Sequence, residues 1–352
     1  MLSPCEFSGN FYNGLYELIE FLVRAPVGLL PVIFFLALLV YLDSYKLVRL
    51  RVVLWVIALG GLMALASYFV NGYVIGRSGL NFLEFSRYVS PLVEETLKGL
   101  VMVYLFRTNR IGFLVDSAIL GFAVGTGFAL FENLYYLYSG TSMHMGVWIV
   151  RGFGTAIMHG GVTAIFGVMA QTLTERSMKI NPLLYLPGLL VAAVLHSVFN
   201  HFPGSPILAT LGTLLLLPPL LWFIFHRSAR VMHSWLELDF DADTQLLEQI
   251  NSGSFSSSKI GMFLDDLRNK FEGPVVADML CYLRIYTELA VRAKGLLLMR
   301  ENGLEVPAGD RTHEKFEELH YLEKSIGKTG LLAMQPFLQM ERKDLWQMNL
   351  LE

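Results

Sequence analysis

The stretch SPLVEETLKGLVMVYLF, residues 90–106, has the length and apolar content of a membrane helix, yet it carries Glu94, Glu95 and Lys98. A membrane-spanning helix needs about 20 mostly apolar residues. An ionisable side chain at membrane depth costs about 2.5–3.5 kcal/mol, so such groups face the interior of a helical bundle or a wet cavity. The stretch therefore predicts a helix inside a bundle, with its polar face turned towards other helices.

The rest of the chain divides into two regions that suit two solvents. The 352 residues are 54% hydrophobic with a mean hydropathy of +0.50, above the usage of soluble domains. About 10% of residues 1–230 are charged, against about 27% of residues 231–352. We predict a transmembrane domain over 1–230 and a soluble, acidic domain over 231–352.

Hydropathy predicts an all-α bundle with about seven spans. These lie near residues 26–42, 52–75, 89–106, 112–137, 146–173, 182–202 and 205–226. Basic residues follow the first, third, fifth and seventh spans, and the positive-inside rule places those loops in the cytoplasm. The sequence thus predicts a multi-pass protein of the cell (plasma) membrane, with its N-terminus outside and its C-terminal domain inside.

The region after residue 230 has apolar residues near helical spacing, which predicts a small helical cytoplasmic domain. No motif in it carries chemistry, so we interpret it as a module that stabilises the protein or binds a cytoplasmic protein partner. The net charge of −3 offers no basic patch, which argues against nucleic acid as a partner.

Three further spans also bring polar groups into the membrane. The fourth reads GFAVGTGFALFENLYYLY with Glu132 and Asn133, the fifth contains RGFGTAIMHGG with Arg151 and His159, and the sixth contains AVLHSVFNHF with His196 and Asn200. Residues three or four apart share a helix face. Each helix therefore presents one polar stripe, and we expect the stripes to meet in a cavity that opens to the outside.

Carboxylates beside imidazoles in a restricted cavity suit the activation of water. One carboxylate can take the proton while a histidine or an amide stabilises the oxyanion, and hydrolysis of an amide is the natural reaction. The same groups could instead hold zinc or another divalent metal, with Glu95, Glu132, His159 and His196 as the ligands. The residues alone leave both mechanisms open, and no cofactor is certain.

Four ordered motifs resemble the PrsW family of intramembrane proteases over about residues 30–225. They are EETLK with Glu94, FALFENLYY with Glu132, the Arg-x3-Thr-x3-His run that ends at His159, and HSVFN with His196. The resemblance implies a glutamic-type membrane endopeptidase related to the CAAX prenyl protease and Abi group. It also implies substrates like membrane-anchored anti-sigma factors, cleaved on the extracytoplasmic side.

We expect Glu94 or Glu95 to act as the general base on water, with the other held protonated or paired to Lys98. His159 and His196 would stabilise the oxyanion or protonate the leaving amine, and Glu132 would orient one of them. The family commonly has a second carboxylate where this chain has Asn200, so we expect an oxyanion donor or an orienter of His196 there.

The predicted supporting residues are Lys98, Asn133, Arg151 and Asn200. The predicted substrate is a single-pass membrane protein that reaches the site from the bilayer. Two other functions use the same residues differently: a proton-coupled transporter would show flux without cleavage, and a non-catalytic scaffold would depend on its tail and not on Glu95.

Overall fold

The computed structural model describes residues 4–139, 144–175, 181–252, 258–304, 311–335, 338, 342–348 and 351. Within these ranges the regular structure is helical, which confirms the all-α prediction. The α-helices are α1 (Pro4–Leu42), α2 (Leu50–Ser78), α3 (Phe82–Glu84), α4 (Ser90–Arg107), α5 (Leu114–Tyr138), α6 (Met145–Ile149), α7 (Ala156–Thr174), α8 (Leu186–Asn200), α9 (Pro206–Ser252), α10 (Lys259–Leu267), α11 (Gly273–Glu301), α12 (Arg311–Met334) and α13 (Arg342–Met348).

In the described parts of the chain, six helical stretches are long and apolar enough to cross a membrane. They are Ile19–Leu42, Leu50–Ser78, Leu114–Tyr138, Met145–Thr174, Pro182–Asn200 and Pro206–Ser252. The predicted span 89–106 is a helix too, but the charges of Glu94, Glu95 and Lys98 keep it out of this set. Of these three residues, Glu95 and Lys98 are buried. The count of seven spans and the orientation stay predictions.

Helix α5 lies at the centre of the membrane bundle, where its glycines allow neighbouring backbones to approach. A Cβ atom on Gly125 would overlap the carbonyl of His159 in α7, and one on Gly127 would overlap the carbonyl of Ile57 in α2. Small residues at such positions let helices pack closely in membranes. The close contact with α7 places Glu132 of α5 beside His159.

The last helix that is apolar enough to cross a membrane continues without a break into the charged C-terminal region, which we call the tail. Helix α9 runs from Pro206 to Ser252, through the predicted domain boundary at residue 230. Beyond it, α10, α11 and α12 share a hydrophobic core of their own around Met279, Leu283 and Leu289. The boundary between the two predicted domains therefore falls inside one helix, and the division remains a prediction.

A small aromatic junction joins the tail to the membrane bundle. Phe113, at the start of α5, contacts Trp235 of α9 and Trp346 of α13, with ring centroids 5.4 and 5.1 Å away. Asp116 accepts hydrogen bonds from the backbone N–H groups of Gly112 (2.8 Å) and Phe113 (3.0 Å), and so fixes the first turn of α5. The junction holds α13 against the α5 end that lies far from Glu132.

Candidate active site

Two π-helical turns lead into the helices that carry the polar stripes. One spans Phe85–Val89 before α4, and the other spans Val150–Thr155 before α7. A π-turn inserts a residue into the helix and leaves backbone carbonyls without their usual partners, and such turns are frequent at functional sites. Two side chains of α8 bind the first turn: Ser197 donates to the Arg87 carbonyl (2.6 Å) and Asn200 to the Ser86 carbonyl (2.9 Å).

The contact of Asn200 differs from the predicted one. We expected its amide to donate to an oxyanion or to orient His196, whereas Nδ2 holds the backbone that precedes α4. Asn200 lies four residues after His196, one turn further along α8. At that position its side chain is beside the π-turn before α4. Asn200 therefore supports the position of α4, which carries Glu94 and Glu95.

Glu95 and Lys98 form a buried ion pair. Lys98 Nζ lies 2.6 Å from Glu95 Oε1 and 2.9 Å from His159 Nδ1, and 4.4 Å from the centre of the Phe128 ring. Glu95 and Lys98 are 2% and 0% exposed. A buried charge with one partner removed is strongly destabilising, so this pair ties α4 to α7 and leaves Glu95 little freedom to react.

Glu94 has a different environment, although it is the next residue. Its carboxylate accepts hydrogen bonds from Ser90 Oγ (2.5 Å) and Asn71 Nδ2 (3.4 Å), and its side chain remains 15% exposed. Asn71 comes from α2 and also donates to Ser90. Glu94 is therefore held in place and accessible, as a carboxylate that reacts with water must be.

His196 lies between the two glutamates. Its Nδ1 is 2.8 Å from Glu95 Oε1, and its Nε2 is 3.9 Å from Glu94 Oε2. Since a carboxylate only accepts hydrogen bonds, Nδ1 carries the hydrogen, and in the neutral ring Nε2 is an acceptor. The buried glutamate thus orients the imidazole, and the free nitrogen faces the accessible glutamate.

His159 links Lys98 of α4 to Glu132 of α5. Its Nδ1 faces the Lys98 ammonium, and its Nε2 lies 3.2 Å from Glu132 Oε2. The rings of His159 and His196 meet at right angles, with centroids 4.8 Å apart. Because an ammonium only donates, His159 Nδ1 accepts from Lys98 and Nε2–H donates to Glu132. Both ring nitrogens therefore have partners.

Arg151 positions Glu132 at the more exposed end of the cluster. Its guanidinium lies 3.3 Å from Glu132 Oε1, donates to Asn133 Oδ1 (2.9 Å), and stacks 3.8 Å from the centre of the Tyr136 ring. Asn133 in turn donates to the Gly28 carbonyl of α1 at 2.7 Å. The glutamate is 30% exposed and Arg151 is 12% exposed, so this end of the cluster is the part most open to its surroundings.

The residues at the centre of the site could hold a metal ion. Among the described residues, ligand atoms of Glu94, His159 and His196 lie within 4.8 Å of one another. This differs from the predicted ligand set, which had Glu95 and Glu132 in place of Glu94. Two histidines and a carboxylate are a known catalytic zinc set, and a carboxylate behind a metal-binding histidine, as Glu95 is behind His196, orients the ring.

The ligand atoms of these three residues are of the kind that divalent ions bind, and they lie close enough together to share one ion. One contact would have to change. His159 would have to release Glu132 or Lys98, because each of its nitrogens already has a partner. Glu94 and His196 Nε2 need no such change.

The structure brings together all five predicted catalytic residues and Lys98 in one cluster, which we name the Glu/His cluster: Glu94, Glu95, Lys98, Glu132, His159 and His196.

The structure also adds two contacts to the site that we had not predicted. Asn71 is the amide that holds Glu94 from α2, and its position inside an otherwise apolar span was the available signal. The Gly28 carbonyl gave no signal, since every residue has one.

The comparison with known protein families identifies the chain. The model of the PrsW family, described as intramembrane metalloproteases, matches residues 48–225. No curated protein and no solved structure matched. The matched residues include α4, α5, α7 and α8 and thus every residue of the Glu/His cluster, while the tail lies outside the match. With its membrane helices and this cluster, the chain belongs to the PrsW family of intramembrane proteases.

Proposed function

We propose that this membrane peptidase cleaves single-pass membrane proteins near the extracytoplasmic side, with Glu94 as the group that activates water. The observation that carries the proposal is the unequal environment of the two adjacent glutamates. Glu95 is buried between Lys98 and His196, whereas Glu94 is partly exposed and faces His196 Nε2 at 3.9 Å.

Water between these two groups would donate one hydrogen to each. Glu94 takes a proton as the water oxygen attacks the scissile carbonyl, and it then delivers that proton to the leaving nitrogen. His196 keeps the second hydrogen bond and fixes the direction of attack, because Glu95 holds the ring. His159 would offer Nε2–H to the oxyanion when Glu132 turns to Arg151.

A second version of the mechanism rests on the ligand group of Glu94, His159 and His196. These three residues would hold a divalent ion such as zinc, which lowers the pKa of bound water when present. The matched family is described as metalloproteases. We rank the metal version second because a metal needs a lone pair of His159, while Nδ1 already accepts from Lys98 and Nε2 carries the hydrogen that binds Glu132. In the glutamate version, Nε2–H only moves from one acceptor to another.

The cellular side of the proposal also goes beyond the family match. We propose the plasma membrane as the location, with a cytoplasmic C-terminal domain that could bind a protein partner through residues 231–352. Anti-sigma-factor-like proteins are the substrate class to test first.

The decisive experiment compares variants of the purified protein in liposomes with a panel of single-pass substrates, and follows cleavage on gels. Glu94→Gln should reduce cleavage by about 100- to 10,000-fold, the usual range for general acid–base catalysis. His196→Ala should also lose most activity. Glu84→Gln is the matched control, since Glu84 is an exposed glutamate in α3 outside the cluster.

The same assay with and without a chelator separates the two mechanisms. Cleavage that survives the chelator and disappears in Glu94→Gln supports the glutamate mechanism. Cleavage that the chelator abolishes and zinc restores would move the mechanism to a metal. Full activity in Glu94→Gln would overturn the role of this residue in either version.

A further inference from the structure

A crevice between α7 and α9 lies at the opposite end of these helices from the Glu/His cluster. It has a volume of about 360 Å³, within the usual 300–1,000 Å³ range of ligand pockets. It extends from Ile165 to Glu175 along α7 and from Leu220 to Val231 along α9. No residue of the Glu/His cluster lines it, so it is a separate site.

The lining changes in character along the length of the crevice. The part nearest the middle of the helices is lined by apolar side chains, including Ile165, Val168, Leu220 and Phe223. The part nearest the tail also contains Phe113, Leu114 and Val231, but it adds the polar side chains of the crevice: Gln171, Thr172, Glu175, Arg227 and Ser228. An apolar crevice that ends in polar groups at the edge of a membrane span matches the shape and chemistry of a lipid.

Charge at the polar end favours an anion. Glu175 is neutralised by Lys343 of α13, at 2.5 Å, whereas Arg227 has no acidic partner within ion-pair distance among the described residues. Arg227 is exposed, as is Arg230 on the next turn of α9. The guanidinium of Arg227 is therefore available to a phosphate group.

A second polar group at this end lacks a partner. Gln171 is 1% exposed, and its Nε2 donates to the Gly112 carbonyl at 2.6 Å. Its Oε1 is buried with no hydrogen-bond partner in the described part of the structure. Buried polar atoms are nearly always paired, so a hydrogen-bond donor on a molecule in the crevice would complete this one.

We propose that the crevice binds an anionic phospholipid whose headgroup carries a hydroxyl. One of its two acyl chains lies between α7 and α9, the phosphate binds Arg227, and the headgroup hydroxyl donates to Gln171 Oε1. Phosphatidylglycerol has each of these features. Because Glu175 is paired with Lys343 and Phe113 packs on Trp346, the bound lipid contacts the same residues that fasten the tail to the bundle.

The test measures lipid binding and is independent of proteolysis. The purified full chain is stripped of lipid in detergent and titrated with phosphatidylglycerol or phosphatidylcholine, and bound lipid is counted by native mass spectrometry. We expect one phosphatidylglycerol to bind in preference to phosphatidylcholine. Arg227→Gln should weaken this binding by about five-fold, since a basic residue near an anionic lipid contributes about that factor.

Two more variants make the test specific. Arg230→Gln is the matched control and should bind as wild type, because Arg230 does not line the crevice. Thr172→Trp places a large side chain on the exposed crevice wall and should abolish the bound lipid. Equal binding of the two lipids, equal losses in Arg227→Gln and Arg230→Gln, or equally tight binding of sn-glycerol 3-phosphate would each overturn the proposal.

Discussion

The two ends of α5 and α7 are built from different chemistry. At one end, which we call the site end, Glu132 and His159 belong to a network of charges with Lys98 and Arg151. At the other, the tail end, Phe113 of α5 and Glu175 of α7 meet an aromatic ring and a lysine of α13. By helix rise, Phe113 and Glu132 are about 28 Å apart along α5.

This difference separates what the protein does from what holds it together. The charged residues of the proposed reaction lie at the site end, where Glu94 and Glu132 are partly exposed. The tail end buries Trp346, and it buries Asp116 with two hydrogen bonds from the backbone. The exception is the Glu95–Lys98 pair, which lies at the site end but has the burial of a structural element. We therefore expect most substitutions to affect either activity or stability, and this pair to affect both.

The largest effect should come from Glu95→Gln. The change leaves the buried Lys98 ammonium without its carboxylate, and breaking a buried pair in this way costs about 3–5 kcal/mol of unfolding free energy. Thermal unfolding of the purified protein in detergent measures it. Glu94→Gln is the same chemical change on the neighbouring residue and should leave the unfolding midpoint nearly unchanged.

The double variant Glu95→Gln with Lys98→Met tests whether the unpaired Lys98 causes the loss of stability, because it removes both charges. It should recover much of the lost stability and remain inactive. If Glu95→Gln unfolds at the wild-type temperature, the pair is not the structural element that its burial indicates.

Trp346→Ala should have the next largest effect, confined to the tail end. Large-to-small changes at buried aromatic residues cost about 3–5 kcal/mol, and Trp346 also covers Gly112, where a Cβ would lie 2.5 Å from the indole. We expect the tail to become sensitive to added protease while liposome cleavage by the site is retained. Loss of cleavage in a folded Trp346→Ala protein would show that the two ends are coupled.

Gly125→Ala tests the close contact between α5 and α7. The added methyl group would overlap the His159 carbonyl, and overpacking of this kind costs about 1–3 kcal/mol. Because His159 must shift, activity should fall along with the unfolding midpoint. Gly212→Ala in α9 is the control, since nothing lies within 4 Å of its added Cβ; an equal loss there would point to a general effect of helix substitution.

The smallest effect is a dependence of the unfolding free energy on pH, caused by a carboxyl group at the tail end. Burial raises the pKa of Asp43, in the loop after α1, from 3.8 to about 6. The folded protein therefore binds a proton that the unfolded chain has lost, and stability should fall by about 1 kcal/mol between pH 5 and pH 7. Unfolding midpoints over this range measure it, and Asp43→Asn should remove this part of the dependence. An unchanged slope in Asp43→Asn would assign it to another group.

The sequence predicted much of the fold because membrane helices leave a strong signal. Apolar stretches gave the helices, and spacing of three or four residues gave the polar faces that meet in the Glu/His cluster. Span 89–106 was harder to classify, since its charges lower its hydropathy. The contacts that bury Glu95, with Lys98 on the same helix and with His196 on another, appear only in the folded bundle. The continuation of α9 to Ser252 was missed because the polarity of the chain changes at residue 230 while the helix does not end there.

The roles within the site could not be predicted from the sequence to the same degree. Glu94 and Glu95 are identical in type and adjacent, and only the position of Lys98, His196 and Asn71 in space distinguishes them. The π-turns were also missed, because a single inserted residue leaves no compositional trace. The hydrogen bond from Asn200 to the backbone before α4 could therefore not be predicted.

The buried charges of α4 also constrain how the protein is made. Three ionisable residues lie within five positions of this helix, and each opposes transfer from the translocon into lipid. Glu95 and Lys98 compensate each other within α4, but the other partners of this pair, His159 and His196, are synthesised later, in α7 and α8. We therefore expect helix α4 to remain at the translocon, or beside the protein already inserted, until those helices emerge. Biogenesis of the helix that carries Glu94 and Glu95 would then depend on the C-terminal half of the membrane domain.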